Sequence, residues 1–164
     1  LRFWPDNKGR DGCRTPMPWT DEPNAGFSEV KPWLPVKAPH FKRNVAALEA
    51  DPASLLHYYR AILKYRKDNP ALIDGEITFY DVKDPILGFS RQSGQDALVC
   101  VFNLSALPHT LSIKGLPNLA TMAGLSNGAT FEGKTLKLEG NGFAFIECGA
   151  GFDPAAISLT LSKA

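Results

Sequence analysis

The sequence predicts an α+β chain that opens with a long irregular segment, passes through one amphipathic helix and ends in an antiparallel β-sandwich. Three observations predict it. Seven of the 13 prolines and all three tryptophans (Trp4, Trp19, Trp33) fall in the first 40 residues, whereas 11 of the 14 glycines come at or after Gly75. Between these halves lies one stretch with helical apolar spacing. After Asp74-Gly75 the pattern becomes short alternating runs broken by turn residues roughly every 8–12 positions, the spacing of sandwich strands.

The elements follow in order. Proline removes backbone donors and blocks regular structure, so the opening segment reads as a long loop. A structureless loop of about 40 residues is rare inside a compact domain and usually functional, and the tryptophans predict that it is ordered against something else. Asp51 is placed as a helix N-cap with Pro52 at the first helical position. Leu55, Leu56, Tyr59, Ile62 and Leu63 then recur on one apolar stripe, read as a core face. Lys64, Arg66 and Lys67 suit the negative end of the helix dipole, and Asn69-Pro70 stops the helix.

Strands are expected at Glu76–Asp81, Ile86–Arg91, Ala97–Leu104, Thr110–Lys114, Thr130–Phe131, Thr135–Leu138 and Gly142–Cys148. Ala97–Leu104 is apolar on both faces, as a central strand is. Glu132-Gly133 marks a hairpin between two of the short runs. Ile157–Leu161 could add an edge strand in the tail. The expected boundary between the two parts falls at residues 74 and 75, giving domains 1–74 and 75–164.

Composition narrows the function. The 164 residues have a mass of 17.9 kDa and are 44% apolar, enough for a packed core. A net charge of +1 leaves no electrostatic footprint for nucleic acid or an anionic membrane. No run approaches the roughly 18 apolar residues of a membrane span. Cys13, Cys100 and Cys148 are odd in number and lack the spacing of a zinc or redox motif, so three reduced thiols in a cytoplasmic protein are expected. The chain starts Leu1-Arg2-Phe3-Trp4 with neither an initiator methionine nor a signal peptide, and is expected to be a piece of something longer.

Motif chemistry is sparse. His40, His57 and His109 fall in a loop, a helix and a turn with no metal-ligand spacing. No phosphate-binding glycine loop, dinucleotide fingerprint or serine nucleophile elbow occurs, so neither cofactor nor metal is expected. No carboxylates stand out as a catalytic pair. The distinctive segment is Gly9-Arg10-Asp11-Gly12-Cys13-Arg14-Thr15-Pro16-Met17-Pro18-Trp19. It sets two arginines and an aspartate within five residues of a proline-punctuated loop. A guanidinium offers a planar fork of donors to a carboxylate or to adjacent sugar hydroxyls. Taken on these residues alone, an Arg10–Asp11 or Arg14–carboxylate pair that merely pins the loop is the other reading.

That segment, followed by Asn24-Ala25-Gly26-Phe27-Ser28 and Pro32-Trp33-Leu34-Pro35-Val36, resembles the alpha-glucosidase and oligo-1,6-glucosidase branch of the alpha-amylase family. Pro18 stands where that branch usually has glutamine. The helix LLHYYRAILKYRKDNPAL, then GFSRQ and ALVCVFNLS, resemble it too, so the likeness covers about residues 1–148. It implies the end of a (β/α)8 TIM barrel, with the loop after the eighth strand and the last helix in residues 1–74. An antiparallel C-terminal sandwich follows in 75–164. It implies a retaining glycoside hydrolase that releases glucose from the non-reducing end of maltose or short alpha-gluco-oligosaccharides. The catalytic carboxylates would lie upstream of Leu1, among barrel residues of the same chain, so no catalytic residue is assigned here. Arg14, with Arg10 as the alternative, would bind the non-reducing glucose. Asp11, Thr15, Pro16, Met17 and Trp19 would be loop scaffold. Sucrose isomerases and trehalose synthases share this loop and remain alternatives, as does a non-catalytic carbohydrate-binding or purely structural sandwich.

Overall fold

The computed structural model describes residues 9–162, so Leu1-Arg2-Phe3-Trp4 and Pro5 lie outside the described residues. The chain divides into two compact units, Leu1–Tyr59 and Arg60–Ala164.

The first unit is the proline-rich segment, and it is ordered by local backbone bonds. Two 3-10 turns, Asp11–Cys13 and Pro23–Gly26, precede two short helices that the sequence reading missed: α1 (Ala38–Phe41) and α2 (Val45–Ala50). The start of α2 is fully satisfied. A helix N-terminus leaves its first N–H groups without intrahelical partners. Here Val45 N–H donates to the Pro18 carbonyl and Ala46 N–H to that of Trp19, each at 3.0 Å. Ala47 N–H donates to Asn44 Oδ1 at 2.8 Å. Asn44 Nδ2 reaches back to the Phe41 carbonyl at 2.6 Å, and Asn44 is buried. An Asn before an apolar run is an N-cap signal, so α2 was legible at Asn44.

The main helix, α3, runs Leu55–Asp68. It starts three residues later than the Asp51-Pro52 signal predicts. Asp51 Oδ1 accepts Ala53 N–H at 2.9 Å and its carbonyl accepts Ser54 N–H at 3.0 Å, which closes a turn rather than a helix. The Ser54 carbonyl takes the first helical bond, from Tyr58 N–H at 3.1 Å, and Ser54 Oγ donates to the Leu48 carbonyl at 2.7 Å. The expected stop holds: Asn69 Oδ1 accepts Ala71 N–H and opens a 3-10 turn at Pro70–Leu72. The stripe expected to be a core face is not buried. No residue of α3 is, and Leu55, Tyr59 and Leu63 are all exposed.

The second unit holds seven strands: β1 (Glu76–Phe79), β2 (Ile86–Ser93), β3 (Asp96–Asn103), β4 (His109–Lys114), β5 (Asn127–Glu132), β6 (Thr135–Glu147) and β7 (Ser158–Leu161). Every pairing is antiparallel, in the order β1-β2-β3-β6-β4-β7, with β5 also on β6. The expected Glu132-Gly133 hairpin and the Ile157–Leu161 edge strand are present. Thr135–Leu138 and Gly142–Cys148 turn out to be one long strand. β6 pairs with β4 and β5 through its first half and with β3 through its second. Instead of two separate sheets, the strands form one hydrogen-bonded network that curls over. β2 and β7 stand near opposite ends of that order, yet a Cβ on Gly88 of β2 would lie 2.3 Å from Leu159 Cδ1 of β7. Only the missing side chain of Gly88 lets the two halves meet.

The core fills the inside of this curl. Val99, Val101, Leu111, Ile113, Leu136, Leu138, Ala144 and Ile146 are all within 1% of full burial. Each of the larger aliphatic side chains contributes about 1.5–3 kcal/mol on leaving water. The two apolar faces of β3 follow from its place between β2 and β6. Val99 and Val101 face the core, while Leu98, Cys100 and Phe102 face outward. On that outer face the register aligns Phe79, Phe89, Cys100 and Phe145 across four strands. Phe89 stacks on Phe102 at 5.9 Å, and Phe102 on Phe143 at 6.0 Å. The second half of α3 lies over this face. Ile62, Leu63, Tyr65 and Arg66 border a groove of about 360 Å³ floored by Phe89, Leu98, Cys100 and Phe145. Tyr65 O–H donates to Glu147 Oε1 at 2.9 Å and fixes the helix to β6.

Candidate functional site

The site begins as a backbone turn. Cys13 N–H donates to the Arg10 carbonyl at 3.1 Å and Arg14 N–H to that of Asp11 at 3.2 Å, closing the Asp11–Cys13 turn. Arg10 stands at its start and Arg14 at its end. Both arginines are exposed, as is Cys13, whose thiol donates to the Arg10 carbonyl at 3.1 Å. Among the described residues neither guanidinium forms an ion pair. Within the described residues, then, Arg10 and Asp11 form no pair and Arg14 meets no carboxylate.

Backbone bonds to the neighbouring motif brace the loop. The Ala25 carbonyl accepts both Trp19 N–H at 2.8 Å and Thr20 N–H at 3.2 Å. Ala25 is fully buried, and both it and Asn24 are left-handed, at φ 58° and 54°. That conformation costs about 1–2 kcal/mol for a residue with a Cβ. The turn persists because Ala25 N–H is bound by the Glu22 carbonyl at 2.8 Å and Asn24 Nδ2 by the Ser28 carbonyl at 2.9 Å. Gly26 follows at φ 63°, where a Cβ would meet Thr20 Oγ1 at 2.6 Å. Thus the loop motif ending in Trp19 and the Ala25-Gly26-Phe27 motif are two halves of one braced loop, itself carrying the cap of α2.

Beside it lies an open groove of about 400 Å³. Thr15, Pro16, Met17 and Pro18 form one side, and His40 and Arg43 the other. Sequence reading set His40 in a loop and attached nothing to Arg43. The α1 segment brings both to the motif, and no spacing rule announces it. His57, on α3, meets the Glu49 carbonyl at 3.0 Å, and His109, at the start of β4, meets Ser105 Oγ at 3.1 Å. No group of three or more His, Cys, Asp or Glu able to hold a metal occurs among the described residues. No helix among them is long and apolar enough to cross a membrane.

The chemistry available at the motif is recognition. The guanidiniums of Arg10 and Arg14 offer planar forks of hydrogen-bond donors and no acceptor, which suits them to binding carboxylates or hydroxyls. A rigid loop that presents such donors loses little freedom on binding a polyol.

Residues 1–75 match the family described as "Alpha amylase, catalytic domain", the family that the sequence resembles. Its curated homologues include proteins named alpha-glucosidase, oligo-1,6-glucosidase and glucan 1,6-alpha-glucosidase. The probable alpha-glucosidase of Rhizobium meliloti (strain 1021) is 53% identical over 105 residues, which are 64% of this chain and 19% of that protein. The oligo-1,6-glucosidase of Parageobacillus thermoglucosidasius is 38% identical over 99 residues, 60% of this chain and 18% of that one. Among solved structures, the alpha-glucosyl transfer enzyme XgtA superposes with a TM-score of 0.76 at 42% identity, over 90% of this chain and 27% of its own. Trehalulose synthase MutB from Pseudomonas mesoacidophila MX-45 gives 0.71 at 26% identity, over 85% and 26%. The chain thus spans about a fifth of the length of the curated relatives it matches.

Proposed function

We propose that this chain works as the C-terminal part of a retaining glycoside hydrolase that releases glucose from the non-reducing end of short alpha-glucosides such as maltose. The observation that carries the reading is the braced loop with two exposed guanidiniums that form no ion pair among the described residues, in a chain 53% identical over 105 residues to a probable alpha-glucosidase. In this reading upstream barrel residues of the same polypeptide supply the carboxylates. Two such groups about 5–5.5 Å apart permit a covalent glucosyl intermediate and retention. Arg14, or Arg10 in the alternative register, donates to hydroxyls of the terminal glucose and closes the pocket beyond it, so that cleavage is confined to chain ends. The exposed Leu55, Tyr59 and Leu63 of α3 support a further layer of protein over that helix. Residues 75–164 serve as a structural cap. Three free thiols, two of them buried, fit a reducing cytoplasm.

A second reading rests on the likeness to XgtA and MutB. The same intermediate can pass its glucosyl group to a sugar hydroxyl instead of water, which gives transfer or isomerisation. The acceptor, not this loop, decides between them.

The test is an exchange in which this chain replaces the matching stretch of the Rhizobium meliloti protein. The chimera is expected to release glucose from maltose, with the alpha anomer formed first. A folded chimera without turnover, while the unexchanged protein turns over, would remove the reading. Glucosyl transfer to added sugars in preference to water would favour the second one.

A further inference from the structure

The motif Pro32-Trp33-Leu34-Pro35-Val36 takes no part in the Arg10–Arg14 loop, yet it builds a site of its own. Pro32, Trp33 and Pro35 line a groove of about 410 Å³, with Phe41 of α1 as a further wall and Asn24 and Lys31 as its polar groups. Trp33 is 76% exposed, the most exposed of the large apolar residues among those described. Its backbone is stiff, because Pro32 and Pro35 fix φ beside it and Leu34 is buried as an anchor. The indole is therefore held out from a rigid segment.

The polar side is equally defined. Asn24 Nδ2 donates to the carbonyls of Ser28 at 2.9 Å and Val30 at 3.3 Å. Both amide hydrogens are used, and Oδ1 is left without a partner among the described residues. Lys31 adds an ammonium that forms no ion pair among them. An indole face beside one acceptor and one cationic donor matches a pyranose ring, whose C–H face is apolar and whose rim hydroxyls both donate and accept.

We propose that this groove is a second saccharide site. It takes a glucopyranose unit of an alpha-glucan, with the C–H face on Trp33, one hydroxyl donating to Asn24 Oδ1 and another accepting from Lys31 Nζ. It uses neither Arg10 nor Arg14, so it holds glucan without positioning the bond to be cleaved.

Native electrophoresis of the 164-residue chain through gels containing glycogen tests this. Glycogen is expected to retard the chain. Trp33→Ala is expected to raise the apparent dissociation constant at least about tenfold, and Lys31→Ala severalfold, at unchanged melting temperature. Trp33→Tyr keeps a stacking face and retains binding, which separates stacking from any loss of fold. Arg14→Ala is expected to leave the Trp33-dependent part of the retardation in place. Migration indifferent to glycogen, or retardation that survives both Trp33→Ala and Lys31→Ala, overturns the proposal. Retardation lost in Arg14→Ala as well overturns it too, and puts the glucan at the substrate loop. Neither result bears on turnover by the chimera, so the two readings fail separately.

Discussion

The carbonyl of Ala25 accepts the amide hydrogens of Trp19 and Thr20, at 2.8 and 3.2 Å, so the loop that displays Arg10 and Arg14 is locked to a turn six residues further on. Two motifs that read as separate in sequence are one hydrogen-bonded unit. The left-handed backbone at Asn24 and Ala25 is what aims that carbonyl.

Ala25→Val follows as a test of the brace. A β-branched side chain at φ 58° in a fully buried position is strained and overpacked. We expect a loss of about 2–4 kcal/mol from that unit and rapid proteolysis near Trp19. Ala25→Gly relieves the conformation and is expected to stay within about 1 kcal/mol of the parent. Equal protease resistance in Ala25→Val would mean the turn does not brace the loop.

The two arginines are separable by kinetics in the chimera. Whichever one binds the terminal glucose, its change to Ala is expected to lower kcat/KM for maltose at least about tenfold, or ~1.4 kcal/mol. Arg14 is the leading choice and Arg10 the alternative. Lysine at the binding position should restore only part of the loss, because a point charge does not replace a planar fork. Wild-type kinetics in both alanine variants would strip this loop of its substrate role. The isolated 164-residue chain is expected to release no glucose from maltose at all. Glucose in that assay would mean that these residues hold a catalytic apparatus of their own.

Much of this architecture is written in local pattern, and the departures have local causes. The double apolar face of Ala97–Leu104 correctly marks β3 as central, since both its neighbours and both its faces are covered. The expected strands Thr135–Leu138 and Gly142–Cys148 leave Glu139-Gly140-Asn141 between them, yet β6 runs through it. Asn141 is left-handed at φ 57°, and Gly140 passes the Ala106 carbonyl, which a Cβ would approach to 2.2 Å. The same residues that make turns also let a long strand bend between partners. Asp51-Pro52 misleads because an Asx turn and a helix cap use the same side-chain acceptor. At the site, Arg10 and Arg14 stand out through the family resemblance, whereas His40 and Arg43 reach the loop only through α1, whose four residues carry too little pattern to see.

Thiol reactivity should separate the three cysteines. Cys13 is exposed, whereas Cys100 and Cys148 are buried and their thiols are pushed up by burial to about 12 and about 11. The thiolate is the reactive form. A chromogenic disulfide at pH 8 is expected to modify one thiol in the native chain and three in denaturant. Cys13→Ser should reduce the native count to zero. Two or more fast thiols in the folded chain would contradict the burial of β3 and β6.

The same groups fix how stability depends on pH. Burial raises the folded-state pKa of Cys100 and Cys148, and burial first and then the bond to Glu147 raise that of Tyr65. Each of these groups is neutral when protonated, and the folded chain holds its proton at a pH where the unfolded chain has released it. Their contribution is therefore complete below the unfolded thiol value, about 8.5, and is lost as pH rises through the folded values. Denaturant midpoints of the sheet unit within the intact chain should be flat with respect to these groups from about pH 6 to 8 and fall steadily above about pH 9. Tyr65→Phe should cost about 0.5–1.5 kcal/mol at pH 7, where the hydrogen bond to Glu147 is lost, and should make the alkaline decline shallower. An alkaline limb just as steep in a Tyr65→Phe, Cys100→Ala and Cys148→Ala triple variant would assign the decline to other groups.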